Sequence, residues 1–148
     1  SDPVYRTLAQ DIWAEDFGGP LPGMHTPQLK RAAIDAQIAR TLKAVDALRA
    51  RGVRVVFVRP PSDGGYYAYE QQHLPRAETW DLLLARSGLP GVHFEDHPSM
   101  QGLELPEWSH LSARDARRYT AALASTIERE RLWDATAPAA TRTARRAP

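Results

Sequence analysis

"RGVRVVFVRPP", residues 51–61, decides the fold. From Val53 to Val58 the run is almost unbroken in apolar, mostly β-branched residues, the pattern of a strand buried on both faces. Directly before it, Leu29, Ala33, Ile38, Leu42, Val45 and Leu48 recur at helical spacing. Thr26 is placed to cap that helix, Pro27 to take its first position and Gly52 to stop it. A one-sided helix feeding straight into a two-sided strand predicts a parallel α/β sheet.

Working outward, "RPPSDGGYYAYEQQHLPR" (59–76) reads as a long turn-rich loop at the strand's C-terminal end, where open α/β sheets hold ligands. "AETWDLLLARSG" (77–88) predicts a second helix ending at Gly88, and "GVHFED" (91–96) a second strand. Ser112 caps a last helix, with Asp115 completing a variant capping box and Ala116, Tyr119, Leu123 and Ile127 as its apolar stripe. Upstream, residues 1–27 hold a short amphipathic piece, "VYRTLAQDIWAEDF", and an irregular stretch, "GGPLPGMHTP". The chain thus divides into an irregular or short helical segment (1–27), an α/β portion (28–133) and a disordered tail from Asp134 to Pro148. Two strands among three amphipathic helices make a narrow sheet, because independent sheets generally need three or more strands. Either the first segment adds more than its pattern shows, or a second copy pairs as a homodimer, or an N-terminal half is missing.

At 148 residues, 43% hydrophobic and 25% charged, the composition is that of one ordinary globular domain. A formal net charge of +1 without a basic stripe argues against nucleic acid as a partner. The absence of cysteine excludes disulfides, thiolate metal sites and a cysteine nucleophile. No apolar stretch approaches the roughly 20 residues needed to span a bilayer, so no direct membrane contact is expected from this segment. "SDPVYRTLAQ" has no signal-peptide pattern, and the compartment stays open.

The chemistry concentrates in "LELPEWSHLSARDARRYTAAL", residues 103–123. Glu107 lies three residues before His110, close enough in a loop for the carboxylate to meet the imidazole. A serine hydrolase needs that pair, a base to take the hydroxyl proton and an acid to fix its tautomer. Ser62, in "RPPSDGGYY", is the in-chain nucleophile candidate, although Pro-Ser-Asp-Gly is also ordinary turn chemistry. Arg59 leaves the same strand end, to clamp an anionic substrate, to pair with Glu107 or to make a structural ion pair. Tyr66, Tyr67 and Tyr69, with His73 and Trp80, offer aromatic faces suited to sugar or acyl groups, and point to different sides. Trp108 and Trp133 read as core or lid residues. His93, Glu95 and His97 alternate as if on one strand face, a geometry for zinc, but no fourth ligand lies nearby, so neither metal nor cofactor is expected.

The order of strand, loop and "LPEWSHLSARDARRYTAAL" resembles the C-terminal block of the SGNH (GDSL-like) hydrolases, in which Asp-x-x-His precedes the final helix. The branch with bacterial polysaccharide O-acyltransferase-like proteins is similar over residues 28–132, through "GVRVVFVRPP", "YYAYEQQHLPR" and "TWDLLLARSGLPGVHFED". The resemblance implies His110 as general base, Glu107 as its orienting acid in place of the family's Asp, and an acyl ester or polysaccharide hydroxyl as substrate. It also implies a periplasmic or membrane-tethered full-length protein. The family's Gly-Asp-Ser motif is absent, and the sequence contains no asparagine for an oxyanion hole. The expected fold class is therefore α/β, a three-layer flavodoxin-like parallel sheet that is incomplete, in αβαβα order. The expected function is the acid/base half of a serine esterase or O-acyltransferase, weak or dead as this chain alone. The alternative is a catalytically inactive SGNH-like interaction or carbohydrate-binding module.

Overall fold

The computed structural model describes residues 2–15 and 17–135. Among them the chain is mixed α/β and mostly helical: α1 (Pro3–Glu15), α2 (Pro27–Ala50), β1 (Phe57–Arg59), α3 (Gly64–His73), α4 (Trp80–Ser87), β2 (Gly91–His93), α5 (Ala113–Arg129) and α6 (Leu132–Ala135). The two strands run parallel, in the register Phe57 to Gly91, Val58 to Val92 and Arg59 to His93. Parallel strands need a crossover, supplied here by α3 and α4.

Helix α2 begins as its sequence predicts, with the Thr26 hydroxyl accepting from the Leu29 N–H at 3.2 Å and Pro27 opening the helix. It buries Ile34, Ile38 and Val45, whereas Leu29 and Leu48 stay exposed. The strand after it is shorter than its composition predicts. Only Phe57–Arg59 pair, and Val53 and Val58 are 38% and 36% exposed, so this strand is not buried on both faces. The Phe57 N–H reaches the Pro90 carbonyl at 3.0 Å toward β2. On the other edge no strand is paired among the described residues, so residues 53–56 have no neighbour there to extend the strand.

Residues 59–76 are not one loop, since helix α3 occupies their middle. Asp63 caps it, its carboxylate accepting from the Gly64 N–H at 2.7 Å. Two glycines at the start conceal a helix whose remaining residues, Tyr66 to His73, tolerate helical backbone well enough. Strand β2 likewise stops at His93, and a 3-10 turn over Phe94–Asp96 takes its place. That turn removes the alternation that would have put His93, Glu95 and His97 on one face. Helix α4 ends where predicted, at Gly88 with φ 62°.

The core gathers Val92, Phe94, Met100, Leu103, Leu105, Tyr119 and Leu132, with Leu123 and Ile127 packed on its rim. The predicted stripe of α5 thus faces inward. Its cap departs from the capping box. Ser112 Oγ accepts from the Asp115 N–H at 3.3 Å, but the Asp115 carboxylate turns to the Glu104 N–H at 2.7 Å and to Arg118 at 2.8 Å. With the Ser112 N–H donating to the Glu104 carbonyl at 2.9 Å, these bonds tie the loop before α5 to its first turn. Asp134, expected to open a tail, lies in α6. The rest of the predicted tail, 136–148, falls outside the described residues.

Candidate functional site

The loop between Leu105 and Ser112 carries the Glu107–His110 pair. Glu107 Oε1 lies 2.7 Å from His110 Nδ1, so the predicted acid and imidazole do meet. Ser109 Oγ donates to Glu107 Oε2 at 2.7 Å and sits 2.8 Å from the same ring nitrogen. Trp13, from α1, donates its indole N–H to Glu107 Oε2 at 3.0 Å. Burial alone would push the Glu107 carboxyl up, but the hydrogen bonds from Ser109, Trp13 and His110 outweigh it and hold it below the ordinary carboxylate range. An ionised carboxylate only accepts, so it fixes the proton of a neutral imidazole on Nδ1 and leaves the Nε2 lone pair free. The His110 side chain is 81% exposed, and no hydrogen bond to Nε2 occurs among the described residues.

Two supports hold this pair, one distant in sequence and one inside the loop itself. Helix α1 is a clamp, with Arg6 on Glu104 at 2.7 Å, Gln10 donating to the Pro106 carbonyl at 2.9 Å and Trp13 on Glu107. The pattern of residues 1–27 shows an amphipathic helix but not what its polar side reaches. The second support is Trp108, whose backbone adopts the left-handed conformation, φ 72°, which a bulky residue takes only when its surroundings hold it there. Its carbonyl accepts from the Asp63 N–H at 2.9 Å. Its indole lies on Gly64 and Gly65: a Cβ on Gly65 would come within 3.0 Å of the ring, and one on Gly64 would overlap it. Trp108 therefore reverses the chain between Glu107 and His110 and docks their loop against the start of α3. The glycines are what let it sit so close.

Arg59 does not pair with Glu107. Its guanidinium meets Glu70 of α3 at 2.5 Å and donates to Ser62 Oγ at 2.8 Å, while the Ser62 hydroxyl donates to the same Glu70 oxygen at 2.6 Å. Ser62 is 7% exposed. Its proton is already directed to a carboxylate, and no hydrogen bond links it to His110 among the described residues. The tyrosines diverge as predicted. Tyr66 and Tyr69 join Trp13, Phe17 and Trp108 in an aromatic cluster on the α1 side. Tyr67 faces the other way and donates to Glu95 at 2.5 Å. Trp133 is exposed rather than core.

Glu70, Ser109, Trp13 and Gly64 were not legible as site residues in the sequence. Only Ser109, beside His110, had a local signal.

No known protein family, curated protein or solved structure matches this chain. No helix among the described residues is long and apolar enough to cross a membrane.

Proposed function

We propose that this chain supplies the acid/base half of an acyl-transfer site, acting on acyl esters or on hydroxyls of a polysaccharide through a serine ester. The observation that carries the reading is the Glu107–His110 contact at 2.7 Å, with its carboxylate held by Trp13 and Ser109 and its imidazole open to solvent. In this scheme His110 Nε2 takes the hydroxyl proton as the serine oxygen bonds to the acyl carbon. It returns that proton to the departing alcohol oxygen. Water or a sugar hydroxyl then repeats the exchange and releases the serine. Glu107 keeps the imidazole in the useful tautomer and offsets the charge that it gains. Ser62 is a poor match for the nucleophile, being buried and bonded to Glu70. The serine therefore comes from polypeptide outside this chain's residues, which also brings the strands that widen β1 and β2 into a three-layer, flavodoxin-like sheet.

The test is to treat the complete gene product, and residues 1–148 alone, with a fluorophosphonate probe beside His110→Ala, and to locate the adduct by mass. We expect a single seryl adduct in the complete product, absent from residues 1–148 alone, forming at least about 100-fold more slowly without the imidazole. Labelling that ignores His110, or no seryl adduct at all, overturns the reading and leaves an interaction or carbohydrate-binding module. An adduct on Ser62 would keep acyl transfer and move the nucleophile to the end of β1.

A further inference from the structure

On the other side of α3 from the aromatic cluster lies a cavity of about 370 Å³, separate from the Glu107–His110 pair and lined in part by Arg59, Tyr67 and Glu70. Its position is informative. Arg59 and His93 line it, and they are register partners at the C-terminal ends of the two parallel strands, the place where open α/β sheets hold ligands. Ile34 and Ile38 of α2 also line it, with Trp80 and Phe94. It is a cleft partly open to solvent rather than a sealed void. Its volume falls within the range of small-molecule sites.

The charges on the wall define what fits. Its two cations and two carboxylates are already matched, Arg59 with Glu70 at 2.5 Å and Arg76 with Glu95 at 3.4 Å. Arg76 is further held by Asp96 at 2.8 Å and Asp81 at 3.2 Å, and Tyr67 donates to Glu95 at 2.5 Å. A charged ligand would have to compete with these pairs, and breaking Arg59–Glu70 would leave a half-buried charge without its ion partner, which is costly. An uncharged ligand displaces nothing. His93 supplies direction. Its Nδ1 accepts from the Glu95 N–H at 3.3 Å, so its neutral ring carries the proton on Nε2 and has a single donor left. Burial, joined by the Arg76 guanidinium, pushes His93 down and keeps it neutral.

We propose that this cavity is a binding site for an uncharged, mainly apolar small molecule of medium-chain acyl or alcohol type, its body against Ile34 and Ile38 and its oxygen accepting from His93. The site stands apart from the acyl-transfer reading and does not depend on it.

The experiment uses residues 1–148 and three probes with one apolar body, decanol, decanoate and decylammonium, followed by titration calorimetry and by the methyl resonances of Ile34 and Ile38. We expect decanol to bind one to one, both ions to bind at least about tenfold more weakly, and Ile38→Trp to lose about tenfold or more by filling the space. The methyl shifts in the unsubstituted protein locate the ligand even if the tryptophan variant fails to fold. No saturable decanol binding, shifts elsewhere than α2 and the strand ends, or decanoate binding as tightly as decanol would overturn the proposal. Loss of the acyl-transfer reading in the fluorophosphonate experiment would leave it untouched.

Discussion

Two clusters of this molecule are built from the same parts. At the end of β1, Glu70 gathers the Ser62 hydroxyl and the Arg59 guanidinium; in the loop before α5, Glu107 gathers the Ser109 hydroxyl and the His110 imidazole. They differ in burial and in the third group. In the first cluster the third group, Arg59, is half-buried, and its guanidinium never gives up its proton. The second sets its carboxylate inside and leaves its imidazole open to solvent. A carboxylate, a hydroxyl and a nitrogen-bearing side chain make a fold-holding lock in one place and, in the proposed reading, a proton-transfer device in the other. Solvent access at the third group decides which.

That contrast breaks most visibly at Glu70. Glu70→Ala leaves Arg59 and Ser62 without their shared acceptor at the joint between β1 and α3. We expect a loss of about 2–3 kcal/mol, the scale for hydrogen bonds to a charged group that leave a half-buried partner behind. Urea denaturation reads it as a lower midpoint with an unchanged slope. A loss under about 0.5 kcal/mol, the range of ordinary surface substitutions, would mean that this cluster is as open as the second.

Gly64 joins the two clusters, because Trp108 rests on it. Gly64→Ala meets two penalties, a left-handed φ of 52° and overlap with the indole. We expect about 1–3 kcal/mol, from strained backbone and displaced ring together. The effect should also reach His110, since the reversal at Trp108 sets the loop. Imidazole nitrogen resonances should then lose the signature of a single Nδ1–H tautomer. A destabilised variant with an unaltered His110 spectrum would mean that Trp108 holds α3 but does not position the pair.

Acid sharpens the comparison. Glu107 is held below the ordinary carboxylate range by the balance given above, Asp96 by Arg76, and Asp115 by the Glu104 N–H and then Arg118. Each titrates lower folded than unfolded, so the stability it contributes is fully present above the unfolded carboxylate values, roughly pH 4. That stability is lost as the pH falls through the lower folded values. Urea midpoints should stay level from pH 6 to about pH 5 as far as these groups are concerned, then drop below about pH 4, with a shallower drop in Asp115→Asn. An equal drop in that variant would remove Asp115 from the account.

The two clusters were not equally legible. Glu107 and His110 stand three apart in one loop, so their meeting follows from local geometry. The meeting of Arg59 and Ser62 with Glu70 depends on a helix that Gly64 and Gly65 disguise as a turn, so the sequence carries no local signal for Glu70. Long periodic elements, α2 and α5, carry their own caps and stripes and were readable. The strands were overestimated because a β-branched run states only what a strand would use, not whether a neighbour exists to pair with it; Val53 and Val58 have none on their outer edge among the described residues. The clamp by α1 depends on contacts across more than 90 residues, and no periodicity encodes which loop a polar helix face will meet.

The smallest expected effect is the most telling. His110→Ala removes an exposed side chain whose partner, Glu107, keeps Ser109 and Trp13 as donors. Stability should change by no more than about 0.5 kcal/mol, as at surface positions with no buried partner stranded. Urea denaturation at pH 7 measures it beside Glu70→Ala. That outcome, with the imidazole held at 2.7 Å by a carboxylate that three donors keep ionised, would support the proton-transfer proposal. A loss of 2 kcal/mol or more, on the scale of a charged hydrogen bond, would instead make the imidazole a third strut of the loop. The two clusters would then be two locks, and the proton-transfer reading would lose its main support.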